Sequence, residues 1–244
     1  MEKETVKNDS SLIEGISGPV GRRKFFFYGA TALTTAAILS SCKKDDPAPT
    51  PATPPPATSG DVVDLGKGDF GILNYAYALE QLEAAFYLAV AAHPYSGITQ
   101  AETDILNDIR DHEVVHRDFF KAALKTNAIK DLTVDFSKID FSSRASVLGT
   151  AKAFEDLGVS AYNGAGRLIT DPAYLLLAGK IVSVEARHAS TIRDLLNKNS
   201  ADFAGNDVVT VDTGLDVARM PKDVLAIAGA YVKNTINFSN LPSK

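Results

Sequence analysis

Apolar positions crowd the chain from Phe70 to Ala92, an Ala-rich stretch with no internal proline that is too long for a strand and normal for a helix. It stops at His93-Pro94. After Gly97, the residues Thr99-Gln100-Ala101-Glu102 have the capping-box pattern, in which the Thr hydroxyl and the Glu carboxylate satisfy free amides at the start of a helix. A second helix is predicted from there to about Lys125. Residues Asn127 to Phe141, with Leu132, Val134 and Phe136 alternating, read as an irregular crossover too short for another hairpin. A third helix is expected from about Ser143 to Leu168. A fourth opens at Asp171-Pro172, an N-cap followed by proline at the first helical position, and is expected to end near Asn197. Residues 199 to 219 read as loop, and Pro221 to about Asn234 as one more short helix. The fold class is all-α: a four-helix bundle of two helical hairpins joined by a long crossover, plus a short C-terminal helix.

The N-terminal pattern is different. Residues 1 to 20 are polar and mixed in charge, then Gly21-Arg22-Arg23-Lys24-Phe25-Phe26-Phe27 leads into a weakly apolar run from Tyr28 to Leu39. Charged region, short apolar region and small-residue site follow the order of a secretory signal, and the run is too short to span a bilayer. The paired arginines resemble the twin-arginine export signal, which carries folded proteins, although Gly21 and Phe26 depart from its usual Ser or Thr and Leu. Leu39-Ser40-Ser41-Cys42 looks like a bacterial lipobox, with Cys42 as the lipidated residue. The proline-rich tract Pro47 to Pro56 has no capacity to form a core and reads as an extended tether. The expected organisation is a signal peptide over 1–41, a tether over 42–65 and a helical body over 66–235. Lys43 after the cysteine is compatible with an outer-membrane lipoprotein, with the periplasmic and surface faces both open.

Composition narrows the chemistry. The chain has 244 residues, 45% apolar and 23% charged, with a net charge of −5. That balance excludes nucleic acid as a partner, since phosphate binding needs clustered Lys and Arg. A single cysteine excludes a disulfide framework and a thiolate zinc site, so metal chemistry would have to use His and carboxylates.

The four long helices carry a repeat. Glu80 lies on the first, Glu113-Val114-Val115-His116 on the second, Glu155 on the third and Glu185-Ala186-Arg187-His188 on the fourth, so each hairpin supplies one Glu and then one E-x-x-H. Tyr87 follows Glu80 by seven residues, as Tyr162 follows Glu155. Glu80 lies 13 residues before His93 and Glu113 lies 14 after Thr99, while Glu155 lies 13 before Leu168 and Glu185 lies 13 after Pro172. At ~1.5 Å per residue, each acid sits roughly 20 Å from its hairpin turn, and all four reach one level. Residues i and i+3 share a helix face, so Glu113 with His116, and Glu185 with His188, point at the same spot. Four carboxylates buried at one level would be very costly without cations, and two iron or manganese ions suit a carboxylate-rich set with one imidazole each.

At these residues the chain resembles the ferritin-like di-iron carboxylate superfamily. The phrases Asn74-Tyr75-Ala76-Tyr77-Ala78-Leu79-Glu80 and Ala153-Phe154-Glu155-Asp156-Leu157-Gly158-Val159 are similar to the bacterial ferritin-like group that includes desiccation-related proteins. The resemblance implies a ferritin-like four-helix bundle over roughly residues 66 to 235. It implies Glu80 and Glu155 as terminal ligands, Glu113 and Glu185 as bridging carboxylates, and His116 and His188 as one imidazole per metal. Tyr87 and Tyr162 would be partners of the ligands or radical traps.

Glu83 competes with Glu80 from one turn away, but its repeat equivalent is Gly158, which favours Glu80. His112 reads as a solvated or hydrogen-bonding histidine, since its equivalent is Val184, and His93 as a helix-terminus residue. Arg110, Arg117, Arg187 and Arg193 are expected in surface salt bridges, and Tyr75, Tyr77, Phe86 and Tyr87 in the core. Two functions stay open: an envelope di-metal oxidoreductase acting on oxygen or peroxide or oxidising Fe(II), and a non-catalytic stress or desiccation protein whose metals only hold the bundle. Iron storage in a closed shell fits poorly with a lipid anchor and tether, whereas a small homo-oligomer stays open.

Overall fold

The computed structural model describes residues 61–243, so the expected signal peptide, Cys42 and the proline-rich tract lie outside the described residues. The elements run β1 (Val62–Asp64), α1 (Gly68–Ala92), α2 (Gln100–Leu124), α3 (Arg144–Gly166), α4 (Pro172–Leu196), α5 (Pro221–Ala228) and β2 (Thr235–Asn237). Helices α1 and α2 form one hairpin and α3 and α4 the other. Local signals fix their ends: Thr99 and Glu102 complete the capping box of α2, Ser143 caps α3, and Asp171 caps α4 ahead of Pro172. Arg144 joins three of these ends. It donates to Glu102 Oε1 at 2.8 Å and to the Leu195 carbonyl at 2.8 Å, binding the start of α2, the start of α3 and the end of α4.

Helix α1 is buried on all sides from Gly71 to Ala84, which explains why its apolar residues show no single stripe. The crossover covers its outer side. An irregular segment has backbone groups that no helix satisfies, and two polar residues of α1, seven apart, meet them. Asn74 donates to the carbonyls of Leu65 and Asn127 and accepts from the Ile129 amide, while Gln81 accepts from the Leu132 amide at 2.7 Å.

Two features extend the body past the expected limits. Strand β1 pairs in parallel with β2, in the register Val62 with Thr235, Val63 with Ile236 and Asp64 with Asn237. Val63 and Leu65 are buried in the core and Leu241 packs against it, so the body begins before residue 66 and runs beyond 235. The C-terminal helix is also shorter than expected, because the chain leaves α5 at Ala228 to reach β2. Just before α5, residue 219 crosses α3 so closely that a Cβ on Gly164 would sit 1.7 Å from the Arg219 carbonyl oxygen, a position only glycine can hold. No helix among the described residues is long and apolar enough to cross a membrane.

Candidate metal centre

The hairpins bring all six acids and histidines of the repeat to one level of the bundle. Glu80 comes from α1, Glu113 and His116 from α2, Glu155 from α3, and Glu185 and His188 from α4, and all six are buried. They fall into two groups whose donor atoms lie within 4.8 Å of one another: Glu80, Glu113, His116 and Glu185; and Glu113, Glu155, Glu185 and His188. Glu113 and Glu185 belong to both.

The distances are those of atoms around a shared centre. His116 Nδ1 lies 2.8 Å from Glu185 Oε1, 3.6 Å from Glu80 Oε2 and 3.7 Å from Glu113 Oε2. His188 Nδ1 lies 2.8 Å from Glu113 Oε1 and 3.5 Å from both Glu155 Oε2 and Glu185 Oε2. Ligand atoms set ~2.1 Å from one ion at right angles stand about 3 Å apart. Despite the short contacts, none of these nitrogen and oxygen atoms has a partner with hydrogen-bond geometry; Glu80 Oε2, both oxygens of Glu113 and Glu185, Glu155 Oε2 and both Nδ1 atoms are buried and unsatisfied. Buried polar atoms are almost always paired, so a convergent set left unpaired fits a pair of cations at its centre. The arrangement is compatible with a di-metal site.

Electrostatics agree with that fit. Burial, followed by the neighbouring Glu185, pushes the Glu113 carboxyl well above its ordinary value, and burial raises Glu155 to about 7 against the opposing pull of His188. Glu185 moves the other way: burial would raise it, but His116 and His188 together hold it down to about 2. Burial would lower His188, yet Glu113, Glu155 and Glu185 push it up to about 12, and His116 rises for the same reason. Without cations, the imidazoles must carry protons to balance the acids.

Two tyrosines complete the surroundings of these acids, crossed between the hairpins. Tyr87 of α1 donates to Glu155 Oε1 at 2.5 Å, and Tyr162 of α3 donates to Glu80 Oε1. Each repeat's tyrosine thus serves the other repeat's acid. Burial and then the carboxylates raise both phenols well above the ordinary tyrosine range, so they stay protonated donors.

Glu83 is a further buried carboxylate, 4% exposed, and belongs to neither group. A Cβ on Gly158 would come within 2.9 Å of Glu83 Oε1, so the glycine at the repeat position makes the room that Glu83 occupies. Burial and then Glu113, Glu185, Glu80 and Glu155 push its carboxyl well above the usual range, which favours its uncharged form. His112 contacts His188, and His93 ends α1 with its amide on the Ala89 carbonyl. Arg110 and Arg117 pair with their neighbours Asp111 and Asp118 at the surface, and Arg187 donates to Ser183 Oγ. Arg193 does not fit the surface expectation. It is 3% exposed and grips Asp156 and Asp207 with its guanidinium, pinning the segment after α4 to the bundle.

No curated protein matches the sequence. Residues 68–198 match the ferritin-like domain family over more than half of the chain. That span holds both hairpins, the crossover and every donor of the two groups, and the chain accordingly belongs to the ferritin-like domain family.

Proposed function

We propose that the bundle holds a dinuclear iron or manganese site and acts on oxygen or peroxide, or oxidises Fe(II), in stress defence at the cell envelope. Glu80, Glu113, His116 and Glu185 would hold one ion and Glu113, Glu155, Glu185 and His188 the other, with Glu113 and Glu185 bridging. The observation that carries this is the sharing of those two carboxylates by both groups, with the convergent atoms unpaired. Such a pair of ions would supply two-electron redox chemistry. The protein's own part is to exclude water through burial of every donor and to orient Glu155 and Glu80 through Tyr87 and Tyr162. Elemental analysis of the purified protein after growth with iron or manganese tests it: about two ions per chain are expected, lost in Glu113→Ala/Glu185→Ala, with a spectral change on adding peroxide or oxygen. Absence of bound metal in the unaltered protein would sink the proposal.

The same proposal places the body on a lipid-anchored tether, from the Arg22-Arg23 signal and Leu39-Ser40-Ser41-Cys42. Labelled fatty acid is expected on the full chain and absent from Cys42→Ser. A second reading, metals that only hold the bundle together, is favoured by the full burial of the four carboxylates. It predicts that Glu113→Ala/Glu185→Ala loses folding while the unaltered protein shows no peroxide or oxygen reaction.

A further inference from the structure

His112 stands outside both donor groups and is exposed, yet it touches a residue inside one of them. Its Nδ1 lies 2.9 Å from His188 Nε2. The two ring planes differ by 9° and the centroids are 5.2 Å apart. That separation matches the N···N distance plus the two ring radii, so the imidazoles meet edge to edge in nearly one plane, the geometry of an N–H···N hydrogen bond. His188 turns Nδ1 toward Glu113, Glu155 and Glu185. A neutral ring that offers the lone pair of Nδ1 to an ion carries its proton on Nε2, so His188 donates and His112 accepts.

The other half of the site lacks this contact. His116 turns Nδ1 toward Glu80, Glu113 and Glu185, and its Nε2 has no protein hydrogen bond among the described residues. The repeat explains the difference: His112 precedes Glu113 as Val184 precedes Glu185, and valine has no acceptor. Glu83 against Gly158 is another departure from the repeat, but its oxygens enter neither donor group. The carboxylate ligands and the two tyrosine contacts are otherwise matched between halves.

Resting on the dinuclear reading above, we propose that His112 is a positioning residue that makes the two metal positions unequal, with the His188 side binding its ion more tightly. An acceptor behind a ligating imidazole fixes its tautomer and ring orientation and makes it more basic, and removing such a partner lowers metal affinity by roughly 10–100-fold. Among the described residues, only one of the two imidazoles has that support.

Mn(II) titration of the full chain, followed by calorimetry and by electron paramagnetic resonance, tests the proposal. Two unequal binding steps are expected. His112→Val weakens the tighter step by roughly 10–100-fold and leaves the weaker one unchanged. His112→Asn, whose Oδ1 takes the place of Nδ1, restores it, and Val184→His tightens the weaker step from the opposite side. His116→Ala removes the weaker step and His188→Ala the tighter. Equal steps in the unaltered protein, both steps of His112→Val within about twofold of the unaltered values, or loss of the tighter step in His116→Ala would each overturn it. A full chain that binds no Mn(II) at all would instead remove the dinuclear reading, and this inference with it.

Discussion

Tyr87 of α1 holds Glu155 of α3 across the bundle at 2.5 Å, and Tyr162 returns the contact to Glu80. The two hairpins are therefore tied to each other by the residues that orient their own acids. Tyr87→Phe or Tyr162→Phe leaves one carboxylate oxygen buried with no donor, at a cost of about 1–3 kcal/mol in the metal-free protein. Either change is expected to weaken metal binding by roughly 10–100-fold, measured by competition with a chelator. Unchanged affinity in both variants would show that the tyrosines only fill space.

Gly158 and Glu83 form a fitted pair. Gly158→Ala places a methyl group 2.9 Å from Glu83 Oε1 and is expected to destabilise the protein by about 1–3 kcal/mol in urea unfolding. Glu83→Gln keeps the shape and, since burial and the neighbouring acids already disfavour the charged form of Glu83, is expected to change stability by less than about 1 kcal/mol. The order of the two effects is the check, and a Gln variant that unfolds more readily than the Ala variant would contradict it.

Arg193 is the fastening of the segment that follows α4. Arg193→Ala leaves Asp156 beside the core without its partner and releases Asp207, and about 3 kcal/mol is expected, at the lower end for a buried pair because Asp207 is open to water. Limited proteolysis is expected to cut within residues 201–217 of that variant. Arg110→Ala, at a surface pair, is expected to cost less than about 1 kcal/mol and to leave the digestion pattern unchanged.

The imidazoles dictate a pH dependence. His188, held up near 12 by Glu113, Glu155 and Glu185 against the opposing effect of burial, is raised far above its value of about 6.5 in the unfolded chain. Its contribution to the stability of the metal-free protein is therefore complete below about pH 6.5 and declines as pH rises toward about 12. A metal ion has to displace those protons, so affinity tightens with rising pH and binding releases protons. Chelated protein is expected to melt at lower temperature at about pH 9 than at about pH 6, and Mn(II) is expected to raise the melting temperature more at the higher pH. The opposite trend in the chelated protein would contradict the assignment.

The long helices and the level of the acids were legible in the sequence because both depend on spacing within one chain segment. Proline, caps and the rise per residue set where Glu80, Glu113, Glu155 and Glu185 stand along the bundle. What spacing cannot carry is which element faces which. The exchange of Tyr87 and Tyr162 between repeats, the edge contact of His112 with His188, and the hold of Asn74 and Gln81 on the crossover all depend on packing between elements. Arg193 has the same cause: nothing local marks it as buried, because Asp207 arrives from a loop. Glu83 was half visible, since its repeat partner Gly158 announced a missing side chain but not whose room it made.

Strand β1 opens the folded body and finds its partner only at Thr235–Asn237. During synthesis the hairpins can assemble as they emerge, but β1 has no neighbour to pair with until β2 has left the ribosome. Closure of that ladder is a long-range event that comes late, and it converts the arrival of the C-terminal segment into a change at the start of the body. A chain interrupted after α4 would keep both E-x-x-H helices and still display an open strand edge at the start of the body, so the pairing of β1 marks a body whose C-terminal segment has arrived.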